Sequence, residues 1–130
     1  MNDLKISKEL LIEVLGSEYN QRLVDWFQIE EDNFLRTYYD CGSYDDKGRP
    51  IGLGLEINIY ELAYKCKEWA YKKGYILTPW KRDGEWYGCE VRDITSEDIV
   101  MINGKTYTRS KLEPEAIFLA CEYILNNIKQ

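Results

Sequence analysis

Between Asn58 and Gly74 the apolar residues recur at helical spacing, and from Tyr75 onward the period drops to two. A helix and strands joined so closely must share one core. Ile59, Leu62, Ala63, Cys66, Trp69, Ala70 and Lys73 trace one face of the helix, and all but the last are apolar, so this face is predicted to meet a sheet. Asn58 is placed to cap the helix, with Glu61 three residues later, and Gly74 stands at the C′ stop.

Beyond Gly74, segments 75–80 and 85–91 flank the turn KRDG, and 98–102 and 105–109 flank Asn103-Gly104, the strongest short hairpin signal. The expectation is a four-stranded antiparallel meander. A last helix over 113–128 follows, with Pro114 in its first turn and Ile117, Ala120, Cys121, Ile124 and Ile128 as its core stripe. Before Asn58, residues 7–15 read as a short helix between Ser7 and Gly16, with Leu10, Leu11, Val14 and Leu15 on one face. Segments 22–29, 33–40 and 51–57 read as strands, the last weakened by two glycines, with a loop over 42–50. The fold class is therefore α+β: an antiparallel meander packed with two main helices, plus a short N-terminal helix and additional N-terminal strands. The 130 residues fit a single domain, with an acidic part over 1–56 and a helix–meander–helix part over 57–130.

The net charge of −6 sits in the first part, where 12 acids face 6 bases; residues 57–130 balance at 11 each. An acidic chain is a poor general ligand for phosphate backbones and suits a basic partner surface. Glu30, Glu31, Asp32, Asp40, Asp45 and Asp46 are the candidate contacts. The chain has no histidine, which removes Ser-His-Asp, Cys-His and histidine acid–base catalysis. Its four cysteines, at 41, 66, 89 and 121, form no close ligand pair, so no metal site and no cofactor is expected, and Cys66 and Cys121 are read as buried, reduced thiols. No apolar run is long enough for a membrane span, and residues 1–11 lack a signal-peptide core, so a cytoplasmic protein is the expectation.

On the far side of the central helix, Tyr60, Tyr64 and Tyr71 align at spacings of four and seven. Either the N-terminal half covers them or a partner does; self-coverage is the expectation, because strands over 22–40 need something to pack against. Tyrosine also suits a binding face, giving large contact area at modest entropy cost. An alternative function is nucleic-acid binding through Lys65, Lys67, Lys72, Lys73, Lys81 and Arg82, with Trp80, Trp86 and Tyr71 stacking on bases. Another is a small-molecule pocket lined by Trp80, Trp86, Tyr87 and Tyr107, between meander and helix.

The segments LKISKELLIEVLG, INIYELAYKCKEWAYKKGYIL and EPEAIFLACEYIL together resemble a group of small proteins encoded by phages and prophages. Where such proteins often carry a histidine in the first turn of the middle helix, this chain has Tyr64. Loosely, the element order is also similar to phage αβα-sandwich domains. The resemblance implies a phage product acting in a bacterial cytoplasm, a class that includes anti-CRISPR and other anti-defence inhibitors. The leading expectation is a non-catalytic protein that binds and inhibits a host protein with a basic surface. Nucleic acid is the less favoured partner, a membrane is not expected, and a homo-oligomer is compatible with the sequence.

Overall fold

The computed structural model describes residues 6–16, 27–29, 32–81 and 84–128. Glu30, Glu31, Arg82 and the expected strand residues 22–26 lie outside the described residues. Among the described residues the fold is α+β, with three α-helices and two three-stranded antiparallel sheets.

Helix α1 (Lys8–Leu15) is closed at both ends as expected. Ser7 Oγ accepts the Leu10 N–H at 3.0 Å, and Gly16, at φ 92°, donates its N–H to Ile12 at 2.9 Å. Strands β1 (Phe27–Ile29), β2 (Phe34–Tyr44) and β3 (Pro50–Asn58) form the first sheet in that order. The turn that follows β2 is shorter than the expected 42–50 loop, because β2 continues to Tyr44 and Asp45 closes the turn. Asp45 Oδ1 accepts the N–H groups of Lys47 and Arg49, each at 2.9 Å.

Helix α2 (Ile59–Lys72) follows β3 without a linker, since Asn58 serves both. Its side chain accepts from Tyr60 N–H at 2.8 Å and Glu61 N–H at 3.4 Å. Leu62, Ala63, Cys66, Trp69 and Ala70 are buried as the periodicity requires. Gly74, at φ 101°, turns the chain into β4 (Tyr75–Lys81), which pairs with β5 (Tyr87–Asp93).

The third strand of this second sheet departs from the expected meander. Asn103 and Gly104 do form the tight turn, both with positive φ (52° and 81°), and Ile102 and Lys105 exchange bonds of 2.7 and 3.0 Å. Their flanks make only that one bridge with each other. Both pair with β5 instead: Ile99 stands opposite Arg92, and β6 (Thr108–Ser110) lies opposite Tyr87–Cys89. Segments 98–102 and 105–109 are therefore not two further strands of a meander. Residues 101–107 loop away from the sheet between two points of attachment. The physical reason is that β5 offers both ladder bonds and a core. Val100 N–H bonds to Val91 at 2.8 Å, and the buried Thr108 hydroxyl donates to the Ala116 carbonyl at 2.6 Å.

Helix α3 (Glu113–Tyr123), with Pro114 in its first turn, widens into a π-helical turn over Ile124–Ile128. There the Asn126 and Asn127 amides donate to the Glu122 and Tyr123 carbonyls at 2.9 and 3.2 Å. Helices α2 and α3 lie side by side on the same face of the second sheet, and α1 packs on α2. One continuous core runs through Leu10 and Leu11 of α1, Leu35, Leu55 and Ile57 of the first sheet, the inner faces of α2 and α3, and Leu77, Cys89 and Val91. No helix among the described residues is long and apolar enough to cross a membrane.

Candidate functional site

The first sheet is anchored at one end and exposed at the other. Leu35, Thr37, Leu55 and Ile57 are buried, and pairing there is regular. At Thr37/Tyr38 the register slips, leaving Gly54 as the extra residue on β3. Beyond that bulge, among the described residues, β2 and β3 continue as a two-stranded ribbon. Tyr44 is 52% exposed, Ile51 49% and Leu53 47%. Ile51 and Leu53 are two residues apart and so share one face of β3. Gly52 between them is buried, and a Cβ there would stand 2.8 Å from the Tyr39 carbonyl oxygen and 3.0 Å from Cys41 Cβ, so only glycine lets the strands close.

The acids expected to face a partner are largely engaged within the sheet. Asp32 pairs with Arg36 at 2.9 Å, and Arg36 pairs with Glu56 at 2.7 Å. The bond from Arg36 holds the Asp32 carboxyl below its usual range. Asp45 pairs with Arg49 at 2.9 Å while closing the turn, and the turn N–H of Arg49 is the main cause of its lowered pKa. Asp40 accepts from the Tyr44 hydroxyl and the Gly42 N–H, and both lower its pKa, the tyrosine more. Asp46 is exposed at the tip. Asp40, Asp45 and Asp46 thus lie on or beside the ribbon, whereas Asp32 lies at its base.

The tyrosine face stands exposed among the described residues. Tyr60, Tyr64 and Tyr71 are 48%, 59% and 61% exposed, which corrects the expectation of self-coverage. Helix α1 packs elsewhere: its Glu13 accepts from Trp69 Nε1 at 3.2 Å and lies 4.0 Å from Lys73 Nζ, on the helix's packed side.

The second sheet separates two groups that the sequence had placed together. Thr108 faces α3, so its neighbour Arg109 faces away, in register with Gly88 and Trp80. The tryptophans therefore occupy the sheet face turned from the helices, apart from Lys65, Lys67, Lys72 and Lys73 of α2. Trp80 lies over Gly88, where a Cβ would come within 2.6 Å of the ring. Tyr107 meets Trp80 edge-on at 5.1 Å and stacks on Trp86 at 6.0 Å, and the Arg109 guanidinium sits 4.0 Å from the Trp86 ring centroid. Tyr87 points to the core side and is partly buried against it. An aromatic group thus exists, but on the outer sheet face rather than between sheet and helix.

Two hollows flank β6 and share Arg109. One, of about 530 Å³, lies between the 101–107 loop and the end of α3, and includes Lys105, Tyr107, Glu122 and Tyr123. The other, of about 700 Å³, is bounded by Gly84, Glu85, Trp86, Ser110 and Lys111. Nothing in the sequence pattern pointed to Arg109, Lys105 or Lys111, because the loop that gathers them follows a strand register set by β5.

Cys66, Cys89 and Cys121 are buried and free, and Cys41 is exposed on the ribbon. Burial pushes the Cys89 thiol up to about 12 and raises Cys121 as well, so neither is a ready nucleophile. Among the described residues no cluster of three Cys, Asp or Glu is placed to hold a metal ion. Glu122 is half-buried, which raises its pKa, and it accepts from both the N–H and the hydroxyl of Ser7, tying α3 to the start of α1. Comparison with family models, curated proteins and solved structures finds no match to this chain.

Proposed function

We propose that this chain is a non-catalytic binding protein that docks on a partner protein through the β2–β3 ribbon. The observation that carries this reading is the apolar pair Ile51 and Leu53, each about half exposed on one face of a ribbon rimmed by Asp40, Asp45 and Asp46, with Tyr44, opposite Pro50, exposed on the other face. Clustered apolar exposure beside polar residues is the usual form of an interaction surface. Asp32 and Asp45 are neutralised by Arg36 and Arg49, so Asp40 and Asp46 carry the field that steers a basic surface toward the ribbon, and Ile51 and Leu53 hold it. The resemblance to phage-encoded proteins supports a host bacterial protein as the partner and inhibition as the outcome, with an anti-defence role in that class. The absence of histidine from the chain and the buried thiols support a role without catalysis.

The test is retention of a basic host protein by the immobilised chain, compared with Leu53→Asp. The reading expects retention to be lost while the melting temperature stays within the shift of an exposed substitution, about 0.5 kcal/mol. Equal retention by both proteins overturns it.

A further inference from the structure

The outer face of the second sheet carries a second group of residues that the docking ribbon does not use. Trp80, Trp86 and Tyr107 are each partly exposed, and Gly88 keeps the floor beneath Trp80 flat. Around them stand Lys105, Arg109 and Lys111, all exposed, whereas Lys81 lies with Tyr87 on the other side of the sheet. Among the described residues the acids nearby are Glu85, Glu90, which is held by Arg92 at 2.9 Å, and the half-buried Glu122 at the end of the hollow beside Lys105. The immediate surroundings of the aromatics are therefore cationic, although the chain as a whole is acidic.

We infer that this face binds single-stranded nucleic acid, with bases on Trp86 and Tyr107 and the phosphates on Arg109, Lys105 and Lys111. Three features match that ligand together. Aromatic rings offer a stacking surface that accepts any base. Cations next to the rings meet the phosphates that alternate with those bases. The two hollows that share Arg109 give a strand room on both sides of β6. A duplex is a poorer match, because its bases are already stacked and hidden from the rings. The net acidity does not oppose this, since the excess acid lies in residues 1–56 and the ribbon projects from the other sheet.

The experiment is fluorescence anisotropy with a labelled single strand of about 10 nucleotides, within the usual footprint of such sites. Duplex of equal length and a free mononucleotide serve as competitors, and salt is varied. Expected are binding at low salt that weakens steeply as salt rises, stronger competition by single strand than by duplex, and quenching of tryptophan fluorescence. Arg109→Ala and Lys111→Ala, both at exposed positions, should each weaken binding several-fold with an unchanged melting curve, and Trp86→Ala about 10-fold. Tyr64→Ala, on the opposite layer, should leave binding unchanged. No binding at low salt, displacement by mononucleotide as effectively as by the oligonucleotide, or wild-type affinity in Arg109→Ala and Lys111→Ala would each overturn the inference.

Discussion

Gly88→Ala tests the packing of the outer sheet face most sharply. The added Cβ would stand 2.6 Å from Trp80 Cη2, 2.8 Å from Cζ2 and 3.0 Å from Cζ3. Carbon atoms rest about 3.5–4.0 Å apart, so the indole must retreat by about 1 Å. It cannot do so freely, because Trp86 and Tyr107 meet it at 5.9 and 5.1 Å between ring centroids. Overpacking of this kind costs about 1–3 kcal/mol. The smaller conformational freedom of alanine in the unfolded chain offsets about 0.4–1 kcal/mol. The net loss is about 1–2 kcal/mol, which lowers the melting temperature of a chain this size by about 4–8 °C. Urea denaturation gives the magnitude, and the near-ultraviolet dichroism of the tryptophans should change with it. In a Trp80→Ala background the same substitution should cost nothing, giving a coupling of about 1 kcal/mol or more. An equal cost in both backgrounds, or none in either, would refute the contact.

Further outcomes follow from other parts of the molecule. Tyr64→Ala should change stability by less than about 0.5 kcal/mol, since the ring is 59% exposed; a loss near 3 kcal/mol in a melting curve would mean that the chain covers it after all. The Glu122 pKa is raised on folding, so its contribution is fully present below its ordinary value of 4.5 and is lost as pH rises through the folded value. Relative to the wild type, Glu122→Gln should therefore gain stability as pH rises above 4.5, read from denaturation at a series of pH values; a pH-independent difference contradicts this. The Cys89 thiol is also raised, from 9.0 to about 12, so stability should fall as pH climbs through that interval, by about 1.4 kcal/mol per unit for this one group. Cys89→Ala should flatten that fall, and an equal alkaline slope in the variant would show that the thiol is not held neutral by burial.

Local signals carried the helices. Ser7, Asn58 and the glycines at 16 and 74 each act where their chemistry placed them, and the 3.6-residue pattern of α2 identified its buried face. The Asn103-Gly104 turn was legible too, because its geometry depends on two residues alone. What surrounds the turn was not: whether its flanks pair with each other or with β5 is a competition between distant partners, decided by Thr108 bonding to Ala116 and Val100 to Val91. The tyrosine face failed for a related reason. Spacing showed that Tyr60, Tyr64 and Tyr71 stand together, but not that α1 would choose the Trp69 side of the helix. The acids were legible as a cluster and not as ion pairs, because Arg36 lies between Asp32 and Glu56 only once β2 and β3 are in register. Arg109 and Lys111 escaped notice because their meeting with Trp86 depends on β6 lying beside β5.

Docking by the ribbon is tested most directly by placing a photoreactive side chain at position 53 and, separately, at position 64, in a bacterial extract. The account predicts a discrete covalent adduct with one basic host protein from position 53, abolished when Ile51→Asp is added. An adduct only between copies of this chain, or one from position 64 with none from position 53, would contradict it.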